Sequence, residues 1–323
     1  SDKFTGSGPY EPSEPNLSLY CQVWLKLSGG TYKLMSELSA PFSLNSKRAF
    51  FDVSSLLRLT NSPPAGTLLS TDVTSSISYG NEHCGIVQLR VADQYGTPAT
   101  AESSLAASEE FVVIKGSSRF MQGFGNSTSA LLHSYLSKEG KYFTKEIRKD
   151  QPELIYFYSH TGTVVAVAVT FFYQDGTSDI VTVATINPSA AKVITCFNAS
   201  WGNLDLESFV DGSKELAYYQ LELQGLTINS PIRYQLDDRT PDYDNYILYS
   251  NGCGGMEILR CSGATQYAAR SSKTSYEKPR NVNTSFRTKR GHVGASGYEE
   301  ITINTGYYSK EYIYHLRQLL VAD

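Results

Sequence analysis

The amino-acid sequence predicts a mostly β protein, made of antiparallel β-sandwiches in tandem with two short helices. Apolar and polar residues alternate strictly over residues 16–27, which is the period of a strand with one face on a core. Asp175-Gly176 separates two runs of β-branched and aromatic residues, which is a strong hairpin signal. The 23 Tyr residues suit strands, whereas a helical period is confined to 128–136 and 309–320.

Turn signals divide the 323 residues into a leader and three modules. Pro and Gly among small polar residues predict a flexible leader at 1–14. Short strand patterns then predict one β-sandwich over 15–116 and a second, with a short leading helix, over 117–226. A third β-rich module covers 227–323. Its pattern stops at Asp323 directly after a helix, so we expect the natural chain to continue.

Composition and charge argue against several classes of protein. With 41% hydrophobic and 19% charged residues, the chain can form cores and does not have the composition of a disordered protein. The net charge of -4 argues against a chain-wide nucleic-acid footprint, so no nucleic-acid partner is expected. No apolar run approaches the roughly 18 residues that span a bilayer, so no membrane insertion is expected.

The five cysteines do not predict a disulfide framework, because their number is odd and their positions are scattered. Cys21 and Cys196 lie on the apolar side of strand patterns, where a thiol packs as a small hydrophobe. Cys253 and Cys261 can face each other across a hairpin. The sequence leaves open whether this pair forms a disulfide or two free thiols.

No catalytic constellation is visible, because the five His are scattered singly and no nucleophile-elbow, zinc-helix or phosphate-loop motif occurs. We therefore expect no enzymatic activity and no cofactor. The best metal candidate is a calcium site, since Ca²⁺ takes about six to eight oxygen ligands. The spacing differs from a calcium-binding loop, so a solvated loop is the alternative. The acidic run consists of Asp237, Asp238, Asp242 and Asp244.

The third module carries the residues that we expect at an interface with another protein. Tyr and Arg dominate interface hot spots because they bury a large area and keep a polar end. Basic residues also gather over 270–290, a run that suits either an acidic partner or plain solvation. The interface candidates are Arg239, Tyr243, Tyr246, Tyr249, Arg260, Lys289, Arg290, Tyr307 and Tyr308.

Several short stretches form a recognisable series. In 246–263, a strand that ends in Tyr249-Ser250-Asn251 leads through a Gly-containing loop to a strand of the type E-x-hydrophobic-x-x-x-G. The segment 303–311 has the form hydrophobic-x-T-G-x-x-S-K-E before the predicted last helix. Further pieces lie at 49–57, 95–98, 112–116 and 272–276. In this order the stretches resemble tail-associated structural proteins of phages and prophages of Bacteroides-type bacteria.

The resemblance implies immunoglobulin-like or fibronectin-type-III-like modules, a location in the virion, and an oligomeric assembly with other tail proteins. It brings no catalytic residues with it. The main alternative is a surface lipoprotein of the same bacteria that acts as an adhesin or binds a surface glycan. A third reading is the accessory region of a glycan hydrolase whose carboxylates lie outside this sequence.

Overall fold

The structure is a computed structural model, and it shows a protein built of β-strands. It describes residues 18–27, 30–41, 51, 53, 77–79, 84–95, 100–101, 105–114, 129–133, 144–227, 229–239, 243–251, 253–277 and 290–306. Within these ranges no α-helix occurs, and one 3-10 turn lies at Leu206–Ser208. The mostly β prediction is confirmed, and all but one of the strand pairings given below are antiparallel.

The chain forms two compact units. The first contains the described residues up to Asp238 together with 248–258, and the second contains 239–247 and the described residues from Leu259 onward. The module boundaries expected at 116/117 and 226/227 stay predictions.

A first sheet in the first unit places β1 between β2 and β4, while β4 also pairs with β5 and β6. These strands are β1 (Ser18–Lys26), β2 (Tyr32–Pro41), β4 (Cys84–Tyr95), β5 (Thr100–Ala101) and β6 (Ala106–Ile114). The alternation predicted for β1 is confirmed, because Leu19, Cys21 and Val23 are buried and the residues between them are not. Cys21 and Val23 pack with Val87 of β4 in a small core.

A β-sandwich follows, built of a five-stranded and a four-stranded sheet whose side chains share one core. The five-stranded sheet has the order β11 (Ser178–Ile186), β10 (Val165–Tyr173), β13 (Leu216–Gln224), β14 (Ile232–Leu236) and β8 (Thr144–Ile147). The four-stranded sheet has the order β3 (Ile77–Tyr79), β12 (Val193–Asn198), β9 (Leu154–Ser159) and β7 (Ala130–Leu131). The hairpin predicted at Asp175-Gly176 joins β10 and β11, and Gly176 takes the positive φ of 84° that its turn requires.

The four-stranded sheet is covered on both faces, which the sequence did not predict. Every residue of β9 and β12 is buried. Ile155 and Phe157 face the sandwich core, whereas Leu154, Tyr156 and Tyr158 pack with Val112 and Ile114 of β6. Runs of consecutive apolar and aromatic residues are typical of strands buried on both faces.

One pairing departs from the antiparallel prediction. β14 and β8 run parallel, with Arg233 opposite Thr144 and Leu236 opposite Ile147. In addition β3, from the segment assigned to the first sandwich, pairs with β12. Both pairings join strands that are far apart in sequence, so no local turn signal announces them.

The helix predicted over 128–136 is wrong in its described part. Ala130 and Leu131 form β7 and pair with Tyr158 and Phe157 of β9, and residues 129–133 contain no helical turn. Because Ala130, Leu131 and Leu132 are all buried, tertiary pairing outweighs a helix preference that is small for each residue. The helix predicted over 309–320 lies outside the described residues.

Two further strand pairs follow the sandwich in the chain. β15 (Asn245–Ser250) pairs with β16 (Met256–Cys261), and β17 (Thr265–Glu277) pairs with β18 (Arg290–Ile303). β17 and β18 lie in the second unit and form a long two-stranded ribbon. Cys253 and Cys261 are both buried thiols, and the disulfide left open by the sequence does not form.

Candidate functional site

The structure divides the predicted interface residues into exposed and buried ones. Arg239, Tyr243 and Tyr246 are exposed, whereas Tyr249 and Arg260 are buried. Arg290 begins β18, but the structure does not describe its side chain. Lys289, Tyr307 and Tyr308 lie outside the described residues. Within the described residues, the predicted set therefore does not form one exposed patch.

Arg260 and Tyr246 both bind the carboxylate of Asp244. Arg260 Nε donates to Asp244 Oδ1 at 2.8 Å, and Tyr246 Oη donates to Oδ2 at 3.0 Å. Both carboxylate oxygens are thus already engaged, which does not favour Asp244 as a calcium ligand. Asp238 is exposed and Asp237 half-buried. Asp242 lies outside the described residues, and within those residues no group of three His, Cys, Asp or Glu could hold a metal ion.

Tyr249 belongs to a buried polar corner rather than to a surface. Its hydroxyl donates to Glu257 Oε2 at 3.0 Å, and Asn251 Nδ2 donates to Glu257 Oε1 at 2.6 Å. The same Asn251 amide donates to the carbonyl of Leu132 at 3.1 Å and accepts two backbone N–H groups, those of residues 253 and 255, at 2.9 Å each. A Cβ at Gly255 would lie 2.7 Å from that carbonyl, so only glycine fits there. This corner fixes the loop between β15 and β16.

The ribbon of β17 and β18 exposes large side chains. Tyr267 is 75% exposed, Tyr298 62% and Ile301 52%. The pairing places Tyr267 opposite Ile301 on one face, while Arg270 and Tyr298 lie on the other. There Arg270 Nε forms an ion pair with Glu300 at 2.6 Å. The ribbon thus has one mainly apolar face and one charged, aromatic face.

A second surface lies on the side of the first sheet opposite its core, and we call it the polar–aromatic face. Trp24 Nε1 donates to Gln22 Oε1 at 3.0 Å. Gln22 Nε2 in turn donates to Tyr20 Oη and to Glu37 Oε1, both at 3.0 Å. Cross-strand pairing places Gln88 and Arg90 of β4 beside Trp24 and Gln22 of β1. The face consists of Tyr20, Gln22, Trp24, Lys26, Tyr32, Glu37, Gln88, Arg90 and Glu110.

Glu110 forms ion pairs with Lys26 of this face and with Lys192, which lies just before β12. Lys192, Lys26 and Tyr32 all donate to its carboxylate, and they lower the pKa of Glu110 to about 2. The side chain of Arg90 has a different set of interactions. Its guanidinium lies 4.4 Å from the centre of the Trp24 ring, it donates to Gln88 at 3.3 Å, and it forms no ion pair within the described residues.

A buried ion pair lies in the sandwich. Lys145 Nζ contacts both carboxylate oxygens of Glu153, at 2.8 and 2.6 Å, and Tyr234 Oη donates to the same carboxylate at 2.9 Å. Burial raises the pKa of Glu153, although Lys145 opposes this effect. The pair is enclosed by the core, so it is a structural element rather than a site open to a ligand.

The sequence analysis did not single out the polar–aromatic face as a site. The alternation over 16–27 did predict that the residues between the apolar ones face solvent, and these include Trp24. The alternation did not predict that Arg90 and Glu110 lie on the same face as these residues, since strand register is set by the whole sheet.

Within the described residues, no helix is long and apolar enough to cross a membrane. A scan against protein-family models gives no match for the chain. A search of curated proteins gives no match either.

Proposed function

We propose that this chain is a non-enzymatic structural and adhesion protein that works through contacts with other proteins, as a tail-associated component of a phage or prophage of Bacteroides-type bacteria. The observation that carries the proposal is the exposed ribbon of β17 and β18 in the second unit. The resemblance of the sequence to tail-associated proteins supplies the kind of assembly.

The ribbon has the properties of a docking element. Its strands pair with each other and with no other strand within the described residues, so each keeps one edge of backbone N–H and C=O groups without a strand partner. A two-stranded hairpin alone is marginally stable in water, and large exposed side chains such as Tyr267 and Ile301 add an apolar area. Contact with a partner protein would cover both the edge and the apolar face.

The proposed lack of catalysis is supported by the engagement of the buried acidic groups. Glu153 is held by Lys145, and Glu257 by Asn251 and Tyr249. A general acid or base must reach the substrate, whereas these carboxylates are enclosed and serve as hydrogen-bond acceptors inside the fold.

The test replaces the gene in a phage or prophage that encodes this chain. We expect Tyr267→Ser combined with Ile301→Ser to lower the amount of the chain in purified particles at least about tenfold, because both side chains are interface anchors. The matched control is Ile180→Ser on β11, since Ile180 is also exposed, at 68%, but lies outside the ribbon. The readout is mass spectrometry of particles, normalised to the major capsid protein. Wild-type occupancy of the double variant would contradict the proposal.

A second candidate is a surface adhesin of the same bacteria, and the polar–aromatic face favours it because that face presents rings and hydrogen-bonding groups together. Antibody labelling of intact cells separates the two candidates. Labelling of cells that produce no particles supports the adhesin, whereas a chain found in particles alone supports the tail protein.

A further inference from the structure

The polar–aromatic face has an uneven distribution of charge. Lys26 of the face and Lys192, just before β12, both pair with the carboxylate of Glu110, so each lysine has an anionic partner within the protein. Arg90 has no carboxylate partner within the described residues, although it is half-buried. Its only side-chain hydrogen bond there is to the neutral amide oxygen of Gln88. A half-buried cation of this kind is complementary to an anionic ligand group, above all to a carboxylate, which matches the guanidinium fork.

The groups around Arg90 narrow the class of ligand. Trp24 and Tyr32 place ring systems 4.4 and 5.9 Å from the guanidinium, and Gln22 and Gln88 add planar amides. A pyranose ring presents C–H groups that pack on aromatic faces and hydroxyls that bond to amides and carboxylates. A sugar that also carries a carboxylate would use all three kinds of group at once.

We propose that the polar–aromatic face binds acidic sugar chains, with Arg90 holding a sugar carboxylate beside the ring of Trp24. The Trp24 ring stacks on the guanidinium and holds it in place, and the ring of Tyr32 lies beside the sugar. The amide oxygens of Gln22 and Gln88, which each accept one bond within the protein, accept a second bond from the sugar hydroxyls. The bonds that connect Trp24, Gln22 and Glu37 already fix these side chains in the free protein. Such pre-organisation lowers the entropic cost of binding.

This inference does not rest on the proposed assembly function, because the face and the ribbon carry different residues. Substitution of Tyr267 and Ile301 leaves the face intact, and substitution of Arg90 leaves the ribbon intact. Failure of one proposal is therefore distinguishable from failure of the other.

The experiment measures binding of sodium polygalacturonate to the full chain by isothermal titration calorimetry, with dextran as the neutral comparison. We expect polygalacturonate to bind and dextran not to bind. Arg90→Gln removes the charge and the paired donors, and should weaken binding about tenfold or more. Trp24→Ala should weaken it by a similar factor, because the ring that stacks on the Arg90 guanidinium and holds it in place is lost.

The matched control is Arg233→Gln. The guanidinium of Arg233 also stacks on a ring, 4.3 Å from the centre of Tyr218, but on the five-stranded sheet. This variant should bind polygalacturonate like the wild type. Circular dichroism and thermal melting check that each variant is folded.

Should Arg90→Gln fail to fold, Arg90→Lys keeps the charge and loses the planar fork, and it should weaken binding several-fold. The proposal is overturned if polygalacturonate does not bind the wild type, if the folded Arg90 variants bind as tightly as the wild type, or if dextran binds equally well. Equal weakening by Arg233→Gln would also overturn it.

Discussion

The buried ion pair of Lys145 and Glu153 permits a quantitative test of the sandwich. Lys145→Met removes the cation and leaves a carboxyl group that is enclosed by the core. Because burial raises the pKa of Glu153 and Lys145 opposes that rise, the substitution pushes the pKa further up. The carboxyl group then takes up a proton on folding, and this uptake lowers the free energy of unfolding at neutral pH.

The magnitude follows from the ordinary pKa of the carboxyl group, 4.5. Holding the group neutral costs about 1.4 kcal/mol for each pH unit above that value, which is about 3 kcal/mol at pH 7 and below about 1 kcal/mol at pH 5. A folded pKa above the unfolded one gives stability that is present at low pH and lost as the pH rises. The destabilisation of Lys145→Met should therefore shrink on acidification.

The partner substitution removes the titrating carboxyl group. Glu153→Gln leaves the buried Lys145 amine without its carboxylate partner, which should destabilise the protein by about 3–5 kcal/mol. Because the carboxyl group is gone, this cost should not shrink on acidification as that of Lys145→Met does. Lys145→Met combined with Glu153→Gln removes both groups and should not show the trend of Lys145→Met.

Urea unfolding followed by tryptophan fluorescence measures these free energies. The chain has two Trp, and Trp201 packs against Phe171 and Tyr219 in the sandwich core. A Trp24→Phe background leaves Trp201 as the reporter of that core. The reasoning is refuted if the cost of Lys145→Met does not shrink between pH 7 and pH 5, or if each single variant costs less than about 1 kcal/mol at pH 7.

Two further substitutions test other polar contacts. Glu110→Gln should destabilise the protein by only about 1–2 kcal/mol at pH 7, since the carboxylate is partly exposed. The destabilisation should vanish as the pH falls from about 4.5 to about 2, because a carboxylate with a lowered pKa loses its contribution to stability when it is protonated. Urea unfolding at pH 7, 3 and 2 measures this difference. Asn251→Ala should lower the free energy of unfolding by about 2–4 kcal/mol, because the N–H groups of Cys253 and Gly255 lose their acceptor. The control is Asn203→Ala, which loses a single hydrogen bond to a carbonyl. A melting temperature of Asn251→Ala no lower than that of the control would contradict the prediction.

The parts of the fold that the sequence predicted well are those with local signals. The alternation over 16–27 corresponds to β1 (Ser18–Lys26), and the hairpin at Asp175-Gly176 joins β10 and β11 at the expected residues. In both cases the side-chain period or the turn residues carry the signal within about ten residues. No knowledge of the rest of the chain is needed to interpret them.

The features that escaped prediction depend on partners far away in sequence. Ala130 and Leu131 have a helical spacing of apolar residues, yet β9 recruits them as an edge strand. The parallel pairing of β14 with β8 brings together strands about ninety residues apart, which exceeds the reach of any turn rule. Long-range pairing of this kind is decided by the packing of the complete core.

A different cause limits the prediction of interface residues from sequence. Residue type predicts what a side chain can do at a surface, but it does not predict exposure. Tyr249 and Arg260 have the chemistry of interface anchors, and the fold uses that chemistry inside the chain, on Glu257 and Asp244. Tyr267 on the ribbon was not singled out by the sequence, although it is far more exposed.

The polar–aromatic face and the ribbon suit different kinds of partner, because they differ in what already holds their side chains. On the polar–aromatic face, hydrogen bonds link Trp24 through Gln22 to Glu37, so the side chains keep one arrangement before any ligand arrives. A fixed array of this kind can recognise a repeated small unit such as a sugar residue. On the ribbon, the unsatisfied groups belong to the backbone edges, and Tyr267 is largely free of neighbours. The backbone N–H and C=O groups of a strand edge pair with another polypeptide strand and not with a sugar. The ribbon is therefore suited to a protein partner, whereas the polar–aromatic face is suited to a sugar.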